Sequence, residues 1–359
     1  MSNTDLPHPQ VLNIPVDTLR TDYLNVTVDR CPDPRWRFKL NLHRATNIAP
    51  GGETAPTAGD PFQSLALFQR AEPMADLEVF GVHLPVDIDP ADWLDLWVER
   101  HGMMPVSSHP LPTAQGVFGD VVCRWDTPQG EFAGRLTALR WGSRVFMLAL
   151  RMPRSQYASM ADDYHAAMAS FAPLDAADQD LNPEPHRTVL LPTPLPTTVR
   201  VPASYDVQMN FSEPPITAFS GDQQLLPTLP DDPAFGKLTF MHADVSLADH
   251  PAKAAALYLD ALLQNPVTLH GEEFVELAAA PEPFQQGWAI VAAATFSPPA
   301  EEPVACELRC QIFAHETGWF VAGVLGPARH VGPIAWARNK RALDVVTSGV
   351  TFAANGRAR

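Results

Sequence analysis

Two stretches of this chain follow the same plan at a steady spacing, and this repetition limits the fold more than any other feature. Residues 306–352 read as two strands joined by a turn, a proline stop and a helix, and Arg135–Phe171 reads the same way. Pro90 and Pro251, Pro105-Val106 and Pro266-Val267, and His109 and His270 are each 161 residues apart, as are Leu77 and Leu238. In the later hairpin the spacing is 174, from Phe146 to Phe320 and from Pro153 to Pro327, and it reaches 181 between Phe171 and Phe352. The widening puts longer loops in the second copy. Matching elements at near-constant offsets are the mark of a duplicated domain.

Within each copy the punctuation is clear. Asp89 can cap a helix whose first position is Pro90, with Asp92 near its positive end, and His250 or Asp249 with Pro251 repeats the arrangement. Trp93, Leu96, Trp97 and Arg100 share one helix face, so Trp93 and Trp97, and Leu257 and Tyr258 in the second copy, are expected against a sheet. The strands follow one another without intervening helices, which predicts antiparallel pairing. The expected fold is α+β: two tandem repeats, each an antiparallel sheet with helices packed on one face. The expected boundaries are an N-terminal arm at 1–33 with short strands from Val11 and Tyr23, a first repeat at 34–174, a Pro-rich linker at 175–197, a second repeat at 198–354 and a tail at 355–359.

Composition excludes several partners. The net charge is −16, so the Lys and Arg needed for a sheath of phosphate contacts are scarce, and neither nucleic acid nor an anionic membrane is expected. No apolar run reaches membrane-spanning length and no signal-peptide pattern opens the chain, which predicts a cytoplasmic protein without membrane insertion. Cys306 and Cys310 are four apart within a strand pattern, so both face one side as core thiols and not as a metal knuckle.

The element order, the proline-started helix, the hairpin at Gly318-Trp319-Phe320 and the closing helix resemble the Mog1/PsbP-like fold. That fold includes the DcrB-like proteins and the chaperones that accompany type VI secretion effectors. The first copy has Arg144-Val145-Phe146 at the hairpin position. The resemblance implies a tandem pair of such domains and a protein-binding role, as chaperone or adaptor.

No motif points to catalysis. His109 and His270 hold matching positions in the offset scheme, but no Asp, Glu, Cys or His stands at a spacing that would make either a base or a ligand, and His109 in SSHPLP reads as a turn. The loop Ala49–Pro61 lacks the Lys-Ser/Thr ending of a phosphate cradle, and no Gly-flanked serine elbow follows a strand. The expectation is a non-enzyme without cofactor or metal that binds a protein carrying apolar or basic segments. Trp141, Phe146, Trp319 and Phe320, large residues near strand ends, are the candidate partner-binding side chains. The alternatives are an enzyme with its site between the repeats and a structural subunit of an envelope or secretion assembly.

Overall fold

The structure is a computed structural model and describes residues 6–31, 33–49, 63–84, 87–113, 116–175, 184–191, 197–208, 216–220, 236–262, 266–297, 302–316 and 318–352. The chain divides into two compact units, Met1–Pro183 and Glu184–Arg359.

In the first unit the order is α1 (Val16–Asp22), β1 (Tyr23–Val28), β2 (Phe38–His43), β3 (Thr46–Ile48), β4 (Gln63–Arg70), β5 (Ala75–His83), α2 (Pro90–Arg100), β6 (Met104–Thr113), β7 (Gly116–Thr127), β8 (Gly130–Trp141), β9 (Arg144–Pro153), α3 (Ala161–Ala169) and β10 (Ala172–Pro173). A 3-10 turn at Arg154–Ser159 precedes α3. In the second unit it is β11 (His186–Leu191), β12 (Thr197–Pro202), β13 (Tyr205–Gln208), β14 (Ile216–Ser220), β15 (Lys237–Asp244), α4 (Pro251–Leu262), β16 (Val267–Glu276), β17 (Gln286–Phe296), β18 (Val304–His315), β19 (Gly318–Pro327), α5 (Pro333–Ser348) and β20 (Thr351–Phe352).

The two units share one topology. The first has a seven-stranded antiparallel sheet in the order β3-β4-β5-β9-β8-β7-β6 and a small sheet β1-β2-β10; the second has β13-β14-β15-β19-β18-β17-β16 and β11-β12-β20. The registers agree as well. Leu77 pairs with Leu150 as Leu238 pairs with Val324, and Phe132 pairs with Pro153 as Cys306 pairs with Pro327. The α+β fold of two tandem antiparallel-sheet repeats is therefore what the chain adopts.

Its helices do not share a face. Along β19, Phe320, Ala322 and Val324 pack with α5 and the small sheet, whereas Val321 and Leu325 pack with α4. Successive strand residues point to opposite faces, so each large sheet has one helix on either side. The same split holds in the first unit. Phe146, Leu148, Leu150 and Met152 join Tyr164 of α3 and Phe38 of β2. The other face meets α2: a Cβ added to Gly119 would lie 2.7 Å from the Pro90 carbonyl oxygen. Residues Ala133–Leu139 of β8 are accordingly all buried.

The expected arm and linker turn out to be equivalent pieces of fold. Tyr23–Val28 of the arm is β1, and His186–Leu191 of the Pro-rich stretch is β11; each is the first strand of its repeat and runs six rungs against the next. The segment from Val11 forms no strand, and α1 follows it. The loop Ala49–Pro61 and the tail fall outside the described residues, apart from Ala49. The capping expectations hold. Asp89 Oδ1 accepts from the Ala91 N–H at 2.8 Å, and His250 Nδ1 accepts from the Ala252 N–H at 3.2 Å. Trp93 and Tyr258 are buried, Trp97 is half-buried, and Leu257 is exposed while Leu259 takes the inward position. None of the described helices is long and apolar enough to cross a membrane.

Candidate binding face

The matched registers allow the two sheets to be compared rung by rung. One row of the first unit runs Ser107, Val122, Arg135, Leu150, Leu77 across β6, β7, β8, β9 and β5. Its counterpart is Glu273, Val291, Arg309, Val324, Leu238. The next row inward begins His109, Asp120, Thr137 in the first unit and Val275, Ala289, Gln311 in the second.

In the first unit this end of the α3 face is closed by a polar lock. Arg135 donates to both oxygens of Asp120, Nε to Oδ1 at 2.9 Å and Nη2 to Oδ2 at 2.6 Å, and both side chains are fully buried. His8, from the N-terminal segment, reaches the same carboxylate through Nε2 at 2.9 Å and the Ser107 hydroxyl through Nδ1 at 2.7 Å. Its ring lies 5.0 Å from that of His109, and Leu6 enters the core cluster beside it. Arg135 also stands over the Tyr164 ring and donates to His165 Nδ1 at 3.4 Å.

The electrostatics follow from burial and pairing. Desolvation alone would raise the Asp120 carboxyl, but hydrogen bonds from His8 and Arg135 and the Arg135 charge outweigh it and hold the group below its ordinary range. Burial, then the Arg135 charge, pushes the His165 imidazole down. Burial pushes the Tyr157 hydroxyl up. The lock thus keeps an ion pair dry and ties the N-terminal segment across the sheet.

The second unit has the same sheet without the lock. Ala289 stands at the Asp120 position and Glu273 at the Ser107 position. Arg309 turns instead to Glu307, which also accepts from Trp336 Nε1 at 2.9 Å, so the guanidinium sits over the Trp336 ring. The outer strip of β16 and β17 stays open among the described residues. Val291 is 38% exposed and Val275 47%, whereas Val122, on the rung of Val291, is 0% exposed.

The four aromatics expected to bind a partner do not form a surface. Phe146 and Phe320 are fully buried, Phe146 among Trp36, Phe38 and Phe171 and Phe320 against Phe284, because their strand positions face the α3 and α5 cores. Trp141 and Trp319 are half-buried, and their indole N–H groups donate to the carbonyls of Asp175 at 3.1 Å and Ala248 at 2.7 Å. Neither histidine is in a turn. His109 lies opposite Asp120 in β6, and His270 lies opposite Ala293 in β16, with its Nε2 2.8 Å from the Thr295 hydroxyl. The ladder equivalent of His109 is Val275, because five more residues separate Pro251 from His270 than separate Pro90 from Met104, which holds the same rung. The histidine match at 161 is therefore a coincidence of numbering. Cys306 and Cys310 are buried on the α4 face, the former pushed up to about 11 by burial.

Other candidate features are already satisfied. A groove of about 640 Å³ in the first unit contains Asp76 and Arg151, paired at 2.7 Å, and Arg70, paired with Asp163 at 2.5 Å. Among the described residues no cluster of three His, Cys, Asp or Glu side chains is placed to hold a metal ion.

No protein-family model matches the chain, and no curated protein matches it. Among solved structures it is similar to a cyanobacterial PsbP (CyanoP) from Synechocystis, at 8% identity over 42% of this chain and 92% of that one, with a TM-score of 0.32. It is similar to the Ran-binding protein Mog1p of Saccharomyces cerevisiae, at 10% identity over 47% and 95%, TM-score 0.30. The immunity protein TplEi of the Pseudomonas aeruginosa T6SS, solved with an "L" peptide, is 10% identical over 92% and 98%, TM-score 0.21. At these values the likenesses carry no functional weight for this chain.

Proposed function

We propose that this chain is a non-catalytic protein-binding module, an adaptor or chaperone of bacterial secretion acting in the cytoplasm, and that its second unit presents the binding face. One observation carries the reading. Two copies of one sheet have the same end covered by the segment 6–9 in one copy and, among the described residues, uncovered in the other. Exposed aliphatic residues on adjacent strands, Val275 and Val291, form the kind of apolar strip that a partner covers. The chain's net charge of −16 speeds encounter with a basic partner in a salt-dependent way.

The test is photo-crosslinking in the producing cells, with a photoreactive residue at Val291 and a control at Leu190, which is 59% exposed elsewhere on the second unit. A defined protein adduct at Val291 and none at Leu190 is the expected result. No adduct at Val291 overturns the reading.

A hydrolytic reading has one observation in its favour, the hydrogen-bonded series Ser107–His8–Asp120. Asp120 is already bound on both oxygens by Arg135, which leaves it less charge with which to stabilise a protonated His8. An esterase and amidase screen decides this alternative: turnover lost in both Ser107→Ala and His8→Asn would establish it.

A further inference from the structure

We infer that the open strip of the second unit takes an extended segment of another polypeptide, one in which a bulky apolar residue is followed two places later by Lys or Arg. This rests on the protein-binding reading and names the partner's chemistry.

The occupant is read from the first unit, where the equivalent ground is covered. There the covering chain is Leu6-Pro7-His8-Pro9. Leu6 is 7% exposed within the core cluster, and the His8 side chain, two places on, is 6% exposed and bonded to β6 and β7. Each precedes a proline, which biases both toward extended backbone. The first unit thus shows two anchors that fit this end of the sheet, an apolar and a polar one two residues apart, on a segment whose prolines favour extended backbone.

The second unit keeps the form and changes the chemistry of the polar anchor. In the first unit the carboxylate is Asp120, neutralised from below by Arg135, so a histidine suffices above it. In the second unit that carboxylate is absent, and Glu273 of the edge strand faces the strip at the position of Ser107. Arg309, the counterpart of Arg135, is engaged with Glu307. Glu273 is itself exposed. A full positive charge therefore complements it better than a neutral side chain does, and the apolar anchor has Val275 and Val291 to cover. The N-terminal segment of a second copy supplies only histidine and is the weaker fit.

The experiment uses the full chain and fluorescein-labelled synthetic peptides of the form Gly-Leu-Pro-Lys-Pro-Gly, the same peptide with Glu for Lys, and the same with Gly for Leu, read by anisotropy. The Lys peptide should bind about tenfold more tightly than the Glu peptide. Glu273→Lys should reverse that order, and the near-isosteric Val291→Thr should weaken the Lys peptide without adding charge opposite Glu273; both variants should melt like the parent, since Glu273 is exposed and threonine keeps valine's strand preference. Equal affinity of parent and Glu273→Lys for the two charged peptides overturns the inference, as does no binding by any peptide at millimolar concentration. Sedimentation showing dimers that Val291→Thr weakens also overturns it, in favour of a second copy. If the crosslink at Val291 persists while the charge reversal has no effect, this inference falls alone; if both fail, the protein-binding reading falls with it.

Discussion

Val122 and Val291 occupy the same rung of two copies of one sheet, and Val122 is sealed while Val291 stands 38% exposed. The same truncation should therefore have different costs. Val122→Ala is expected to lose about 2 kcal/mol of unfolding free energy, and Val291→Ala to stay within about 0.5 kcal/mol of the parent. Urea unfolding of both variants checks this. Equal losses would mean that the strip on β17 is covered in solution.

The Asp120–Arg135 pair should be costly to break and cheap to replace whole. Both side chains have no exposed surface, so Asp120→Ala leaves a buried guanidinium without its main partner and should cost about 3–5 kcal/mol. Replacing both, Asp120→Leu with Arg135→Met, should recover most of the loss. A double variant no better than the single would show that the pair, and the His8 contact it supports, cannot be exchanged for apolar packing.

Stability should fall with acid in two steps. His165 is held low by burial and then by Arg135, so the unfolded chain binds its proton more readily. Its contribution is complete above about pH 6.5 and is lost as pH drops from there toward the lowered folded value. His242, also held low by burial, adds to this step. Asp120, held below the carboxylate range, contributes above about pH 4 and loses its contribution as pH falls through its own folded value. Urea midpoints taken at stepped pH should show both declines, and His165→Gln should shrink the upper one. A flat profile between neutral pH and pH 5 would contradict this.

Gly119 is the point where α2 meets the sheet. A Cβ there would lie 2.7 Å from the Pro90 oxygen and the Ala91 Cα, both backbone atoms that cannot swing aside. Gly119→Ala should cost about 1–3 kcal/mol by pushing the helix off β7. A melting temperature equal to the parent's would show that α2 rides loosely.

What the sequence made legible was whatever had local chemistry. The Asp89-Pro90 start and the alternating strands each reflect a short-range rule, the spacing of 161 from Leu77 to Leu238 reflects the repeat, and all three appear in the structure. The edge strand β6 was hidden by Pro105, Pro110 and Pro112, which read as a turn but are tolerated where one side of a strand lacks a neighbour. The two-sided cover of the sheet was readable in principle, since the buried run Ala133–Leu139 mixes apolar residues with Arg135 and Thr137, but those two polar residues broke the signal. The lock was not readable at all, because His8, Ser107, Asp120 and Arg135 meet only through the folded register.

In each repeat the first and last strands flank the second, β1 and β10 on β2, and β11 and β20 on β12. The small sheet cannot be completed until the final residues of its own repeat have been synthesised. At roughly 5–20 residues per second a ribosome takes on the order of ten seconds to deliver one repeat, and for that time the apolar faces of β2 and β9 lack part of their cover. Each repeat then closes on itself without waiting for the other. A nascent chain of this kind should resist protease in two discrete steps, one as each closing strand clears the exit tunnel.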